Sequence, residues 1–90
     1  MAQALNLSGY LAQQSGEINQ AKTLYLQAIA NKADYALAHY NLALLYDVYL
    51  QDIAKAVEHY QAYLANIEQK DESTENWLEG LQATLAASNS

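Results

Sequence analysis

An internal repeat is the feature that most constrains the fold of this 90-residue chain. Gly9 aligns with Ala43, 34 positions later, whereas Tyr25 aligns with Tyr60, 35 positions later. The change of offset predicts a one-residue insertion between positions 46 and 56. A repeat of about 34 residues, each a pair of helices, is typical of helical solenoids. We therefore expect two such units, with the rest of the chain flanking or closing them.

Composition supports helices and excludes several classes of site. The sequence has no cysteine, so disulfides, thiolate metal sites and cysteine nucleophiles are not available. It also has no proline and three glycines, which favours long uninterrupted helices. The formal charge is -6, and the four lysines are scattered along the chain. Nucleic-acid binding needs clustered cations to displace counterions from phosphates, so we expect no nucleic-acid partner.

The spacing of apolar residues predicts four helices before a polar loop. They cover residues 2–14, 18–31, 35–50 and 53–68. In the polar stretch 69–74 we expect the acidic side chains to be solvated.

A fifth helix, residues 73–87, is expected to close the end of the molecule. Ser73 or Thr74 is its predicted N-cap. Its predicted packing face carries Trp77, Leu78, Leu81 and Leu85. A terminal repeat buries only one side of itself, so a covering helix fits the predicted architecture.

The repeated segments resemble tetratricopeptide repeats, whose pattern is W-x2-L-G-x2-Y, then A-x3-F, then P. The first segment supplies Leu5, Ser8, Gly9, Ala12, Gly16, Ala21, Tyr25 and, in the proline place, Ala33; the second supplies His39, Leu42, Ala43, Tyr46, Ala56 and Tyr60. The resemblance implies two antiparallel helical hairpins, about 2–34 and 35–69, in a right-handed α-solenoid array. Gly9, Ala21, Ala43 and Ala56 are small where the helices approach closely. Residues 41–47 and 59–64, followed by a Trp-containing helix, further resemble the C-terminal ends of some multi-repeat proteins of Gram-negative bacteria, including TonB-system components.

Tetratricopeptide domains bind extended peptides or partner helices in a concave groove, and the resemblance implies such a groove here. The implied partner-binding residues are Asn6, Tyr10, Gln13, Gln14, Tyr40, Asn41, Leu44, Asp47 and Val48. The cations that clamp a terminal carboxylate in some members are absent from these positions. A groove of amides and tyrosines with Asp47 at one end favours neutral, apolar or mildly basic peptides. Tyr40 and Leu44 are alternatively explained as half-exposed packing.

No residue pattern indicates catalysis, a metal site or a cofactor. His39 takes the position that a tryptophan holds in the repeat pattern, which indicates a structural role, and His59 is expected to face solvent. The two histidines lack the spacing of a helical zinc site and have no third ligand in register. The serines lack a glycine elbow and a local base. We therefore expect no enzyme activity.

The sequence predicts a non-catalytic protein–protein interaction module, acting as a scaffold or adaptor. The alternative is a structural end-piece of a longer repeat array, which stacks or self-associates through an apolar N-terminal edge at Leu5, Leu7 and Leu11. No apolar run approaches the roughly 20 residues that span a bilayer, and no signal-peptide pattern opens the chain. We expect no membrane insertion, and a soluble chain that is cytoplasmic as it stands or periplasmic if its parent protein is secreted.

Overall fold

In the computed structural model, which describes residues 1–88, the chain folds into five α-helices and one π-helical segment. Their bounds are α1 Ala2–Gln14, α2 Ile18–Asn31, α3 Ala36–Leu44, the π-helical segment Leu45–Leu50, α4 Ile53–Ala65 and α5 Glu72–Ser88. No strand occurs in this part of the chain, which confirms the predicted all-α class. Each helix packs on the next in sequence. The radius of gyration of 12.9 Å is close to the roughly 12 Å of a compact chain of this length.

The third predicted helix changes its hydrogen-bonding pattern where the repeat predicts an insertion. We expected one helix over residues 35–50, but α-helical geometry ends at Leu44 and π-helical geometry continues to Leu50. Bonds from residue i to i+5 enclose one more residue per turn than the i to i+4 bonds of an α-helix. The inserted residue is thus absorbed within the helix. The segment is followed by Gln51, which caps it with a positive φ of 54°.

The four small residues of the repeat pattern lie inside the molecule, as predicted. Ala21, Ala43 and Ala56 have no exposed surface, and Gly9 is buried. A Cβ atom on Gly9 would lie 2.7 Å from the Tyr25 ring. Such a distance is too short for a carbon–carbon contact, so α1 can approach this ring closely only with glycine at position 9.

Two tyrosines from equivalent repeat positions are the largest fully buried side chains of the described residues. Tyr25 and Tyr60 are both fully buried, together with Leu42 and Leu45. A buried phenol needs a hydrogen-bond partner, and each ring has one. The Tyr25 hydroxyl donates to Gln13 Oε1 at 2.8 Å. Burial, together with the charge of Tyr10, raises the pKa of Tyr25 to about 12, so this hydroxyl remains a donor at neutral pH.

The C-terminal helix begins and packs differently from the prediction. α4 ends at Ala65 rather than Glu68, and α5 begins at Glu72. Leu78 and Leu81 are buried as predicted, and Leu85 is half-buried against the core. The prediction was wrong for Trp77, because its side chain is 55 % exposed. Trp77 therefore lies at the surface of α5 and not in the core.

Candidate functional site

One pocket collects four of the predicted partner-binding residues. It has a volume of about 240 Å³, and we call it the aromatic pocket. It is lined by Tyr40, Leu44, Asp47, Val48, Tyr60, Ser73, Thr74 and Trp77. The first four come from α3 and the π-helical segment, where their spacing puts them on one helix face. The other four come from α4 and α5, so the pocket exists only when the last helix is docked.

The carboxylate of Asp47 joins three elements at this pocket. Its Oδ2 atom accepts a hydrogen bond from the Tyr60 hydroxyl at 3.1 Å and another from the Trp77 indole Nε1 at 2.7 Å. Burial raises the pKa of Tyr60, and the charge of Asp47 raises it further. The Tyr60 hydroxyl therefore stays protonated and donates. The π-helical segment, α4 and α5 are tied together through one oxygen atom.

In the part of the chain that the structure describes, the negative charge of Asp47 has no cationic partner. Within residues 1–88 the ion pairs are Lys32 with Asp34 and Lys70 with Glu75, and neither involves the pocket. No hydrogen bond within that range reaches Asp47 Oδ1, since both bonds end on Oδ2. The carboxylate is half-exposed. Oδ1 is thus the oxygen of this lining residue that makes no hydrogen bond within residues 1–88.

Aromatic rings form much of the pocket wall. The rings of Tyr40 and Tyr60 have centroids 6.1 Å apart and make an edge contact at 70°; Tyr60 is fully buried, so the half-exposed Tyr40 presents the open surface of this pair. Tyr40 also packs against Tyr63 at 4.8 Å, which limits its movement. Trp77 adds a third lining ring that is more than half exposed. The pocket therefore combines π surfaces with one carboxylate oxygen.

A second carboxylate fixes the end of α5 that closes the pocket. Asp71 Oδ1 accepts from the Thr74 backbone N–H at 3.1 Å, and Oδ2 accepts from the Thr74 hydroxyl at 2.8 Å and the Tyr63 hydroxyl at 2.7 Å. Asp71 is therefore the N-cap, so the prediction of a Ser73 or Thr74 cap was wrong, and the half-exposed Asp71 carries a structural role in addition to the solvated charge that was predicted. The bond from Tyr63, followed by those from Thr74, lowers the pKa of Asp71. The bond to Asp71, then burial, raises the pKa of Tyr63 to about 12.

The predicted residues of α1 lie outside the aromatic pocket. Asn6 is buried, and its Oδ1 atom accepts from Asn41 Nδ2 at 3.1 Å, which joins α1 to α3. Gln13 accepts a hydrogen bond from the Tyr25 hydroxyl, whereas Tyr10 and Gln14 are exposed. The structure thus divides the nine predicted residues into a pocket set of four and a separate set on α1 with Asn41.

The two histidines form a structural pair. His39 Nε2 lies 2.8 Å from the Ala33 carbonyl oxygen, and its Nδ1 lies 3.0 Å from Nδ1 of His59. A carbonyl only accepts, so Nε2 of His39 is the donor there, and a neutral His39 accepts the Nδ1–H of His59. Tyr46 stacks on His59 with an interplanar angle of 14°. The prediction that His59 faces solvent was wrong.

Burial lowers the pKa of His59, and the charge of His39 lowers it further. The charge of Glu58 acts in the opposite direction, and that of Lys55 adds a smaller lowering. His59 is therefore disposed to remain neutral at neutral pH. No group of three or more His, Cys, Asp or Glu side chains with metal-site geometry occurs within residues 1–88.

The residues missed by sequence reasoning belong to α4 and α5. Tyr60 was assigned to the core alone, and Trp77 to a packing face. A bond between Asp47 and Trp77 spans 30 positions, and neither residue belongs to a motif that predicts it. An aromatic residue in a closing helix is the only signal the sequence offers.

Comparison with models of protein families, with curated proteins and with solved structures finds no match for this chain. Among residues 1–88, no helix has both the length and the apolar character needed to cross a membrane.

Proposed function

We propose that this chain is a non-catalytic protein–protein interaction module of the tetratricopeptide type. In this proposal α1 with α2, and α3 to α4, are two antiparallel helical hairpins of a right-handed solenoid, and α5 is its cap. The buried small residues at repeat-equivalent positions, Gly9 with Ala43 and Ala21 with Ala56, support it. So does the pairwise packing of successive helices.

The observation that carries the proposal is the aromatic pocket. Four residues that the family resemblance implies for partner binding line it together: Tyr40, Leu44, Asp47 and Val48. Tyrosine and tryptophan dominate the energetics of protein interfaces because they combine a large apolar surface with one polar group. A pocket with two tyrosines and one tryptophan has that composition.

The size and chemistry of the pocket favour recognition of one side chain. Its volume of about 240 Å³ is below the roughly 300–1,000 Å³ of typical small-molecule sites. An extended peptide would therefore insert one anchor residue and lay its neighbours along α3.

A matched pair of arginine substitutions tests this proposal. Val48 lines the pocket and is 56 % exposed, whereas Leu26 lies on α2, is 42 % exposed and does not line it. Peptides selected from a random dodecamer display library would be labelled and titrated by fluorescence anisotropy. We expect binding to weaken about tenfold in Val48→Arg and to stay unchanged in Leu26→Arg. Failure to enrich any sequence, or equal binding to both variants, would refute the proposal.

The alternative function, an end-piece that stacks on further repeats, is favoured by exposed leucines on the first two helices. Leu7 and Leu11 are 58 % and 57 % exposed, and Leu26 is 42 % exposed. Contiguous exposed apolar surface favours association. Sedimentation velocity from micromolar to millimolar protein distinguishes the two functions. Self-association that Leu7→Gln and Leu11→Gln abolish supports stacking, whereas a monomer throughout counts against it.

A further inference from the structure

The charge of the aromatic pocket is not balanced within the chain. Asp47 carries one carboxylate, the other lining residues are neutral, and none of the four lysines lines the pocket. The two donors on Asp47 Oδ2 are an indole N–H and a phenol, which stabilise the charge without neutralising it. A cation entering the pocket would thus meet a fixed, partly desolvated negative charge.

The aromatic rings add a second attraction for a cation. A cation over the face of a Tyr or Trp ring within about 6 Å of its centroid is attracted by the ring quadrupole. Of the three lining rings, Tyr40 is half-exposed and Trp77 is 55 % exposed, so these two can offer surface to a cation, whereas Tyr60 is fully buried. Two such rings add their attraction to the charge of the carboxylate beside them. A neutral side chain would gain only apolar contact.

The hydrogen bonds already made by Asp47 select among basic side chains. Guanidinium binds a carboxylate most strongly as a fork, with two N–H groups on two oxygens. Oδ2 of Asp47 already accepts from Tyr60 and Trp77, so only Oδ1 is left for a ligand. A lysine ammonium is a compact point charge whose three N–H donors rotate freely, so it can bind a single carboxylate oxygen without the planar two-oxygen match that a guanidinium fork requires. It also matches a pocket of about 240 Å³.

We propose that the aromatic pocket takes a lysine side chain from a partner protein, with the ammonium between Asp47 Oδ1 and the rings of Tyr40 and Trp77. This inference rests on the proposed function, because it names the anchor residue of the bound peptide. The formal charge of -6 agrees with it, since a negative protein attracts basic segments over a longer range than the contact itself.

The pocket can be tested without a peptide. Trp77 is the only tryptophan, so fluorescence excited at the red edge of the absorption band, where the eight tyrosines do not absorb, reports on this site alone. The probes are Nα-acetyl-lysine amide and, as a neutral isostere, Nα-acetyl-norleucine amide, titrated at constant ionic strength. We expect a saturable change with the lysine probe that is at least about tenfold weaker with the norleucine probe. Equal responses, or none with lysine, would overturn the inference.

A matched pair of charge substitutions tests whether the charge of Asp47 attracts the lysine probe. Asp47→Asn keeps an amide oxygen that can accept from Tyr60 and Trp77 but removes the charge. Glu79→Gln removes the same charge from an exposed position on α5 that does not line the pocket. We expect the lysine probe to bind about fivefold more weakly to Asp47→Asn and unchanged to Glu79→Gln. Equal weakening in both would indicate attraction by net charge only and would overturn the inference.

Selected peptides separate this inference from the proposed function. Replacing their shared lysine by norleucine should weaken binding about tenfold, and arginine at that place should bind more weakly than lysine. Peptides that bind through the pocket without a lysine would overturn the inference and leave the proposed function standing. A response to the lysine probe with no peptide ever enriched would instead refute the proposed function, and with it the partner lysine.

Discussion

Adding one methyl group at Gly9 should destabilise this protein, although the same change normally stabilises a helix. The new Cβ would lie 2.7 Å from Tyr25 Cε1, 2.8 Å from Cδ1 and 3.3 Å from Cγ. The Tyr25 ring has no exposed surface, and its hydroxyl is hydrogen-bonded to Gln13, which lies on α1 together with Gly9. The ring is therefore confined at both ends, and the helices have to move apart to accommodate Gly9→Ala.

The size of the effect follows from two opposing terms. Alanine is favoured over glycine within a helix by roughly 1 kcal/mol. Overpacking a well-packed core costs about 1–3 kcal/mol. Because the contact falls on a buried, tethered ring, we expect the upper part of that range and a net loss of about 1–2 kcal/mol. For a domain of this size each kcal/mol lowers the melting temperature by about 4–8 °C.

The assay is urea unfolding followed by circular dichroism at 222 nm, with Gly80→Ala as the matched control. Gly80 is also helical, but a Cβ there would meet nothing within 4 Å. That control should gain up to about 1 kcal/mol. In a Tyr25→Leu background, Gly9→Ala should lose most of its cost. The reasoning is refuted if Gly9→Ala and Gly80→Ala stabilise the protein equally.

Three further predictions concern the backbone, the histidine pair and the cap of α5. Gln51→Gly should raise stability by about 0.5–1 kcal/mol in the same urea assay, because Gln51 has φ 54° and a side chain disfavours that conformation; a loss would contradict it. The pKa of His59 is lowered in the folded chain, so the unfolded chain takes up this proton at a higher pH than the folded chain does. The free energy of unfolding should therefore be at its full value above about pH 6.5 and fall as the pH drops below that value. In His59→Gln the urea midpoint should depend less on pH between about 7 and 5.5. The same pH dependence as in the unchanged protein would contradict the assignment of this effect to His59. Asp71→Ala should lower the melting temperature and weaken ligand binding at the aromatic pocket together, since Asp71 holds Thr74 and Tyr63; Glu68→Ala, at an exposed position between α4 and α5, should change neither.

The spacing of apolar residues was enough to predict those helices that bury a single apolar stripe. The bounds of α1 and α2 agree with the predicted ones, since short polar turns with Gly16 and Asp34 separate those stripes. The repeat offset also located the inserted residue between positions 46 and 56. It could not show that the residue widens a helix rather than lengthening a loop. That outcome depends on packing, because Leu45 and Tyr46 of the π-helical segment are both buried.

The candidate site was only half predictable, because part of it depends on packing between helices. Tyr40, Leu44, Asp47 and Val48 share a helix face, which follows from their spacing. The contribution of Trp77 depends on how α5 docks, and a long-range bond to Asp47 fixes it. Sequence spacing carries no information on such a bond. The same holds for the links from Asn6 to Asn41 and from His39 to His59.

Amide chemical-shift mapping with a selected lysine-containing peptide tests the proposed binding surface most directly. We expect the largest chemical-shift changes at residues 40–48 and 73–77 and at the indole cross-peak of Trp77. That cross-peak is assigned without ambiguity because the chain has one tryptophan. Binding confined to α1, with the Trp77 cross-peak unmoved at saturation, would contradict it.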